Sequence, residues 1–187
     1  MGKPVTGEVV VLPFPQTDLQ VRPATIADAQ RIAQIHVETW RAAYRGQMPD
    51  AVLDALDTDK RTIFWNNHLA TQPHGIVVVE SDKEIIGFCD LVPSRDKDSN
   101  PKQVGEIAAI YVQPEFWRKG AGDALCRFSL RAARLQKYIS VTLWVLTSNV
   151  AARKFYETMG FSLDGATKVD QSLNNYELHE VRYRISV

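Results

Sequence analysis

Glu106-Ile-Ala-Ala-Ile-Tyr-Val-Gln-Pro-Glu-Phe-Trp-Arg-Lys-Gly-Ala-Gly-Asp-Ala-Leu125 is the stretch whose reading decides the fold. It reads as an apolar strand, a turn broken by Pro114, and a Gly120-Ala121-Gly122 step opening an amphipathic helix. A helix N-terminus presents backbone N–H groups without intrahelical partners and carries the positive end of the helix dipole. Glycines clear side chains from the approach, so those N–H groups can wrap a phosphate or pyrophosphate. An ordinary β–α turn has the same local pattern, so the choice falls to the rest of the chain.

Upstream, Leu19–Arg22 reads as a short strand and Thr25-Ile-Ala-Asp28 as a capping-box-like helix start. Apolar or aromatic residues recur at Ala29, Ile32, Ala33, Val37, Trp40, Ala43 and Tyr44, a helical stripe that Gly46 and Pro49 stop. A second helical region, Asp50–Leu56 and Asp59–Leu69, closes at Pro73 and Gly75. The period then changes. Ile76–Glu80 and Glu84–Val92 form a hairpin around Asp82-Lys83, and Ser94–Gln103 is a polar loop leading to the strand Val104–Val112.

Downstream, the helix after Gly120 places Leu125, Phe128, Ala132 and Leu135 on one side and Arg127, Arg131 and Arg134 on another. Ile139–Leu146 is a strand, and Asn149–Met159 is a helix with Gly160 as C-cap. Phe161–Val169 and Tyr176–Val187 read as an antiparallel pair. Residues 1–18 hold three prolines and read as an extension with one short edge strand at Glu8–Leu12; residues 19–187 form a single domain. The order β-α-α-β-β-β-α-β-α-β-β is that of a mixed α/β (α+β) sheet, and the helix after Gly120 has to join two neighbouring parallel strands.

Lys+Arg and Asp+Glu both number 22, so no net positive field draws the chain to nucleic acid or an anionic membrane. No run approaches the roughly 18 apolar residues of a membrane span, and the N-terminus lacks a signal peptide's apolar core. Cys89 and Cys126 sit far apart in apolar segments, as reduced buried thiols do, which makes the cytoplasm the expected compartment. His68, His74 and His179 are isolated and show no metal-ligand spacing, so no metal is expected.

Two motifs carry a resemblance to a known family. Trp117-Arg-Lys-Gly-Ala-Gly-Asp-Ala124 after Ala109–Pro114, and Asn149-Val-Ala-Ala-Arg-Lys-Phe-Tyr-Glu-Thr-Met-Gly-Phe161, with a strand between them, resemble the GCN5-related N-acetyltransferase (GNAT) superfamily. The resemblance spans residues 19–187. It implies a mixed central sheet of about six or seven strands with helices on both faces. It also implies a splay between the strands at Glu106–Val112 and Val141–Val145 that admits acetyl-CoA. The family's phosphate motif opens with Gln or Arg, and here Trp117 stands in that slot.

By that resemblance, backbone N–H groups of Arg118, Lys119, Gly120, Ala121, Gly122 and Asp123 cradle the pyrophosphate. Arg118 and Lys119 add positive charge; a solvated basic turn is the other reading for this pair. Along the strand, Ile110, Tyr111 and Val112 line the pantetheine arm, with the Ile110 N–H facing the thioester oxygen. Asn149 and Tyr156 lie seven residues, two helical turns, apart and so share a face. Asn149 reads as an N-cap or a cofactor contact, and Tyr156 as a core ring or the phenol beside the coenzyme A sulfur.

An amine acceptor must lose a proton before it attacks. Glu106, which strict alternation puts on one face with Ala108 and Ile110, is the first candidate base, and a solvated edge glutamate is its other reading. Asp90 is the second candidate. His36 lies on the apolar stripe as a packed histidine. Trp40, Tyr44, Arg45, Trp65 and an Asp164–Asn175 loop are expected around the acceptor.

The function implied is direct acetyl transfer from acetyl-CoA to a primary amine of a small molecule or of a peptide or protein; members of the family are often dimers, while the sequence itself leaves a homodimer open. A non-catalytic acyl-CoA-responsive module of the same fold is the alternative. A nucleotide-binding α/β domain fails, because neither Gly-x-x-x-x-Gly-Lys-Ser/Thr nor Gly-x-Gly-x-x-Gly is present.

Overall fold

The change from helical to strand periodicity near Gly75 separates the helices that cover the sheet from the strands that build it. The computed structural model describes residues 10–11, 19–71, 75–173 and 176–187. Its strands are Val10–Val11 (β1), Gln20–Pro23 (β2), Ile76–Ser81 (β3), Glu84–Pro93 (β4), Val104–Val112 (β5), Ser140–Leu146 (β6), Ser162–Leu173 (β7) and Tyr176–Ser186 (β8). The helices are Ala29–Ala43 (α1), Asp50–Asp54 (α2), Thr58–Thr71 (α3), Ala121–Leu135 (α4) and Val150–Thr158 (α5). Of the expected edge strand, Val10 and Val11 pair with β2; the rest of the extension, His74 and Asn174–Asn175 lie outside the described residues.

The sheet runs β1-β2-β3-β4-β5-β6-β8-β7. Neighbours are antiparallel except β5 and β6, which are parallel and joined through α4. Apolar positions of α4 (Ala121, Leu125, Cys126, Leu130) pack with Val79, Leu91, Ile107, Val141, Leu143 and Tyr183 on one face, and Tyr156 of α5 joins them. Ile32, Ala33 and Ile35 of α1 and Trp65 and Leu69 of α3 cover Ile76, Val78, Phe88 and Ala109 on the other. No helix of the described residues is long and apolar enough to cross a membrane.

Two local features depart from the expected pattern. The segment from Asp164 is no loop: β7 continues to Leu173 and pairs with β8 from Ser162↔Arg184 to Leu173↔Tyr176. Leu135, expected on the buried side of α4, is its last residue and is 64% exposed.

The sheet opens in its middle. β5 and β6 pair at Val104↔Ser140, Gly105↔Val141 and Glu106↔Thr142. Beyond Glu106 β5 keeps only β4 beside it, and β6 beyond Thr142 keeps only β8. A register shift between Asp90↔Ala109 and Leu91↔Ile107 leaves Ala108 as an extra residue, a β-bulge. Ile107, Ile110 and Val112 therefore pack toward α4, while Ala109 and Tyr111 pack toward α1. Strict alternation would have grouped Glu106 with Ile110; the bulge puts Glu106 on the face of Ala109 and Tyr111 instead.

Candidate active site

The opening between β5 and β6 holds a cleft of about 540 Å³. β5 from Glu106 to Val112 forms one wall, Trp144–Leu146 of β6 and Glu180 of β8 another, and His36 and Trp40 of α1 with its C-cap Tyr44 roof it. Gly122 of α4 and Asn149, Phe155 and Tyr156 around α5 close the remaining side. The predicted Ile110, Tyr111, Val112, Gly122, Asn149, Tyr156, Glu106, Trp40 and Tyr44 thus meet in one cavity. Arg118, Lys119, Gly120, Ala121, Asp123, Asp90, Arg45 and Trp65 are not among its walls.

At the helix end, Gly120 is the N-cap with φ 90°, a left-handed conformation that favours glycine. The first intrahelical bond of α4 runs from the Ala124 N–H to the Gly120 carbonyl, so the N–H groups of Ala121, Gly122 and Asp123 lie ahead of it. A Cβ on Gly122 would meet only the Phe155 ring at 3.5 Å, an ordinary contact. The protein's own packing therefore does not demand glycine there, and the space fits a bound group. Arg118 adopts φ 59°, a strained conformation for a non-glycine residue. Lys119 places its Nζ 5.4 Å from the Phe116 ring, and Asp123 turns its carboxylate to Arg127 at 2.8 Å.

Trp117 fills its slot differently from a Gln or Arg. Its indole Nε1–H turns back and donates to the Val112 carbonyl at 2.6 Å. Thr39 Oγ1 donates to the same oxygen at 3.1 Å. Both lone pairs of that carbonyl are engaged, so it is no open acceptor for a pantetheine amide.

Glu106 is 2% exposed and is no solvated edge glutamate. Its Oε2 accepts from the Arg95 N–H at 3.0 Å and from Arg95 Nε at 3.2 Å, and its Oε1 accepts from Arg95 Nη2. Arg95 itself is 66% exposed in its side chain, so the pair is a buried anion gripped from the solvent side. Asp90 is buried too, but its carboxylate meets His68 Nε2 at 2.9 Å, away from the cleft walls. That contact, which comes first, raises the His68 pKa above its ordinary value against the opposing effect of burial.

Tyr156 is 8% exposed, with Phe155, Phe161 and Tyr183 rings around it at 5.4, 6.0 and 6.3 Å. Burial pushes its phenol well above the ordinary value, so it stays protonated and can donate. Asn149 is an N-cap: its Oδ1 accepts from the Ala152 N–H at 3.1 Å, and it still lines the cleft. The N-cap reading holds, and the side chain stands on the cleft wall. His36 is packed among Trp40, Trp65, Phe88 and Tyr111, and burial lowers it to about 3. Trp65, expected near the acceptor, is 2% exposed and belongs to the core; Arg45 instead pairs with Asp50 and Asp54 on the surface.

Arg95, Trp144 and Glu180 are wall residues that sequence reasoning missed, whereas Lys168 falls in the Asp164–Asn175 segment expected around the acceptor. Trp144 and Glu180 sit in strands whose alternation looks the same for a core wall and a ligand wall. The sequence carries no signal for their pairing with residues far away in the chain.

The pattern of the acetyltransferase (GNAT) family matches residues 30–161, and the chain belongs to that family. It is 26% identical over 171 residues to a probable N-acetyltransferase of Mycobacterium tuberculosis, covering 90% of this chain and 94% of the relative. It is 29% identical over 130 residues to an uncharacterized N-acetyltransferase of Bacillus subtilis, covering 69% and 72%. The PaiA N-acetyltransferase of Thermoplasma acidophilum, solved with coenzyme A, has the same fold, with a TM-score of 0.70, 18% identity, and coverage of 90% and 99%. So has yncA of Salmonella typhimurium, solved with acetyl-CoA, with a TM-score of 0.67, 20% identity, and coverage of 90% and 93%.

Proposed function

We propose that this acetyltransferase-family protein binds acetyl-CoA and transfers the acetyl group directly to a primary amine. The observation that carries the proposal is the unpaired edge of β5 beyond Glu106, which opens into a cleft beside the N-terminus of α4. An extended arm can lie along such an edge as an added strand. The N–H groups of Ala121, Gly122 and Asp123 then hold its pyrophosphate, as helix N-termini hold anions. Arg118 and Lys119 add positive charge outside the cavity.

In this reading the Ile110 N–H donates to the thioester oxygen as it becomes an oxyanion; a fixed donor of this kind is worth about 3–4 kcal/mol in the transition state. Glu106 takes the proton of the acceptor ammonium, directly or through water, from the α1 side of the sheet. The Tyr156 phenol hydrogen-bonds the departing thiolate. Because its own pKa is raised, it stabilises that anion as a donor rather than by giving up its proton. Direct transfer fits the cysteines: Cys126 is buried and pushed up to about 12, far from a ready nucleophile.

Release of coenzyme A thiol on adding amines, at a rate above acetyl-CoA hydrolysis, is the test. Binding of acetyl-CoA without turnover on a broad amine and peptide panel would defeat the catalytic part. One observation favours a second reading, a non-catalytic acyl-CoA-responsive module: Arg95 occupies Glu106 from two sides. In that case Glu106→Gln and Tyr156→Phe would bind acetyl-CoA and act in the cell like the parent protein.

A further inference from the structure

Lys168 and Glu180 are cross-strand partners on β7 and β8, and their side chains meet at the cleft wall. Lys168 Nζ lies 3.1 Å from Glu180 Oε2 and 4.3 Å from the centroid of the Trp144 ring. A carboxylate and an indole face converging on one point make a receptor for an alkylammonium group. Here the chain fills that receptor with an ammonium of its own.

The two halves of the contact differ in how firmly they are held. Trp144 is anchored by its Nε1–H on Asp96 Oδ1 at 3.0 Å. Glu180 lies on a strand paired on both sides, to Leu146 and to Lys168, and its side chain is 17% exposed. The Lys168 side chain is 41% exposed and reaches in from the edge strand β7. A half-exposed ion pair adds little to stability, so the lysine is a plug that another ammonium can displace. Met48, Leu146 and Leu178, packed together on the same side of the sheet, offer apolar surface for a methylene chain.

We propose that Trp144 and Glu180 form an acceptor subsite for a second positive charge, so that the preferred acceptor is a small alkyl diamine. One amino group takes the acetyl group while the other replaces Lys168 between the indole and the carboxylate. The proposal rests on the N-acetyltransferase reading above. Lys168 is the competitor for this subsite rather than the acceptor, because its Nζ sits at the carboxylate and the indole where the unreacted amine is placed.

The test compares linear diamines of increasing length with monoamines of the same length, reading kcat/KM from thiol release in the parent protein, Glu180→Gln and Lys168→Met. Diamines should exceed matched monoamines by about tenfold or more, with a peak at one length. Glu180→Gln should erase that ratio, and Lys168→Met should raise it by removing the competitor. Equal rates for the two amine classes, a ratio that survives Glu180→Gln, or acetylation of Lys168 when acceptor is absent would overturn the proposal. If no amine is acetylated, calorimetry with a diamine and coenzyme A separates the two ideas. Binding that Glu180→Gln abolishes keeps the subsite while the catalytic reading falls; no binding removes the subsite.

Discussion

The indole N–H of Trp117 donates to the Val112 carbonyl over 2.6 Å, tying the turn before α4 to the end of β5. The residue that breaks the family's phosphate motif thus fastens the turn to one wall of the cleft. Trp117→Phe keeps an aromatic, though smaller, ring and loses the donor, while Thr39 still satisfies the carbonyl. The variant should unfold at lower urea with a loss of about 1 kcal/mol. An unchanged midpoint would mean the bond adds nothing beyond packing.

Gly122→Leu should leave the fold intact and raise the acetyl-CoA KM by at least about tenfold, roughly 1.4 kcal/mol. The first added carbon meets Phe155 only at an ordinary 3.5 Å, so the remaining bulk enters the cleft. Calorimetry with coenzyme A reads this directly, and parental affinity would refute the cradle.

Glu106→Gln should lower kcat about 10²-fold at neutral pH. Part of that loss should return as pH rises, since more of the acceptor then arrives already deprotonated. A loss that stays constant across the pH–rate profile would move proton removal to water or another group.

Tyr156→Phe preserves the ring among Phe155, Phe161 and Tyr183 and removes only the hydroxyl. We expect kcat to fall about 10²-fold with little change in acetyl-CoA affinity. Because burial raises the phenol, the parent's pH–rate profile should show no descending limb from Tyr156 below its ordinary value of 10. A loss of less than about threefold in kcat would assign Tyr156 to packing alone.

His36 gives stability an acid-side slope. Burial, aided by the nearby Arg61 charge, lowers it from 6.5 to about 3 in the folded protein. Between those values the unfolded chain binds a proton that the native one does not, so stability falls as pH falls, by up to about 1.4 kcal/mol per unit. His36→Leu should flatten this slope in denaturation curves between about pH 4 and 6.5. His68 acts in the opposite sense: its raised pKa stabilises the fold below the unfolded value, and that gain is lost as pH climbs through the folded one. If parent and His36→Leu keep the same slope, His36 is not buried neutral.

Much of the fold was legible because it is written in local periodicity. The stripe from Ala29 to Tyr44 became α1 as Ala29–Ala43, and Gly160, expected as the C-cap, instead follows the C-cap Met159 as the left-handed residue that closes the last helix, with φ 92°. The glycines at the start of α4 and the Asn149–Tyr156 spacing named the family and half the cleft. Alternation failed at Ala108, since a bulge is a property of two strands in register and neither strand shows it alone. The Asp164–Asn175 segment read as loop for a related reason: its polar residues up to Leu173 are tolerated on an edge strand that β8 holds in place.

By itself, then, the sequence determined the order of helices and strands, the parallel step through α4 and the glycine-opened helix end, because each follows from residues within a few turns of one another. The tertiary structure alone decided that Trp117 locks Val112, that Arg95 grips Glu106, that Asp90 faces His68 instead of the cleft, and that Lys168 lies between Trp144 and Glu180. Those contacts depend on strand register and on the splay between β5 and β6. Register is set by how whole faces bury against α1 and α4, which no short stretch of chain can specify.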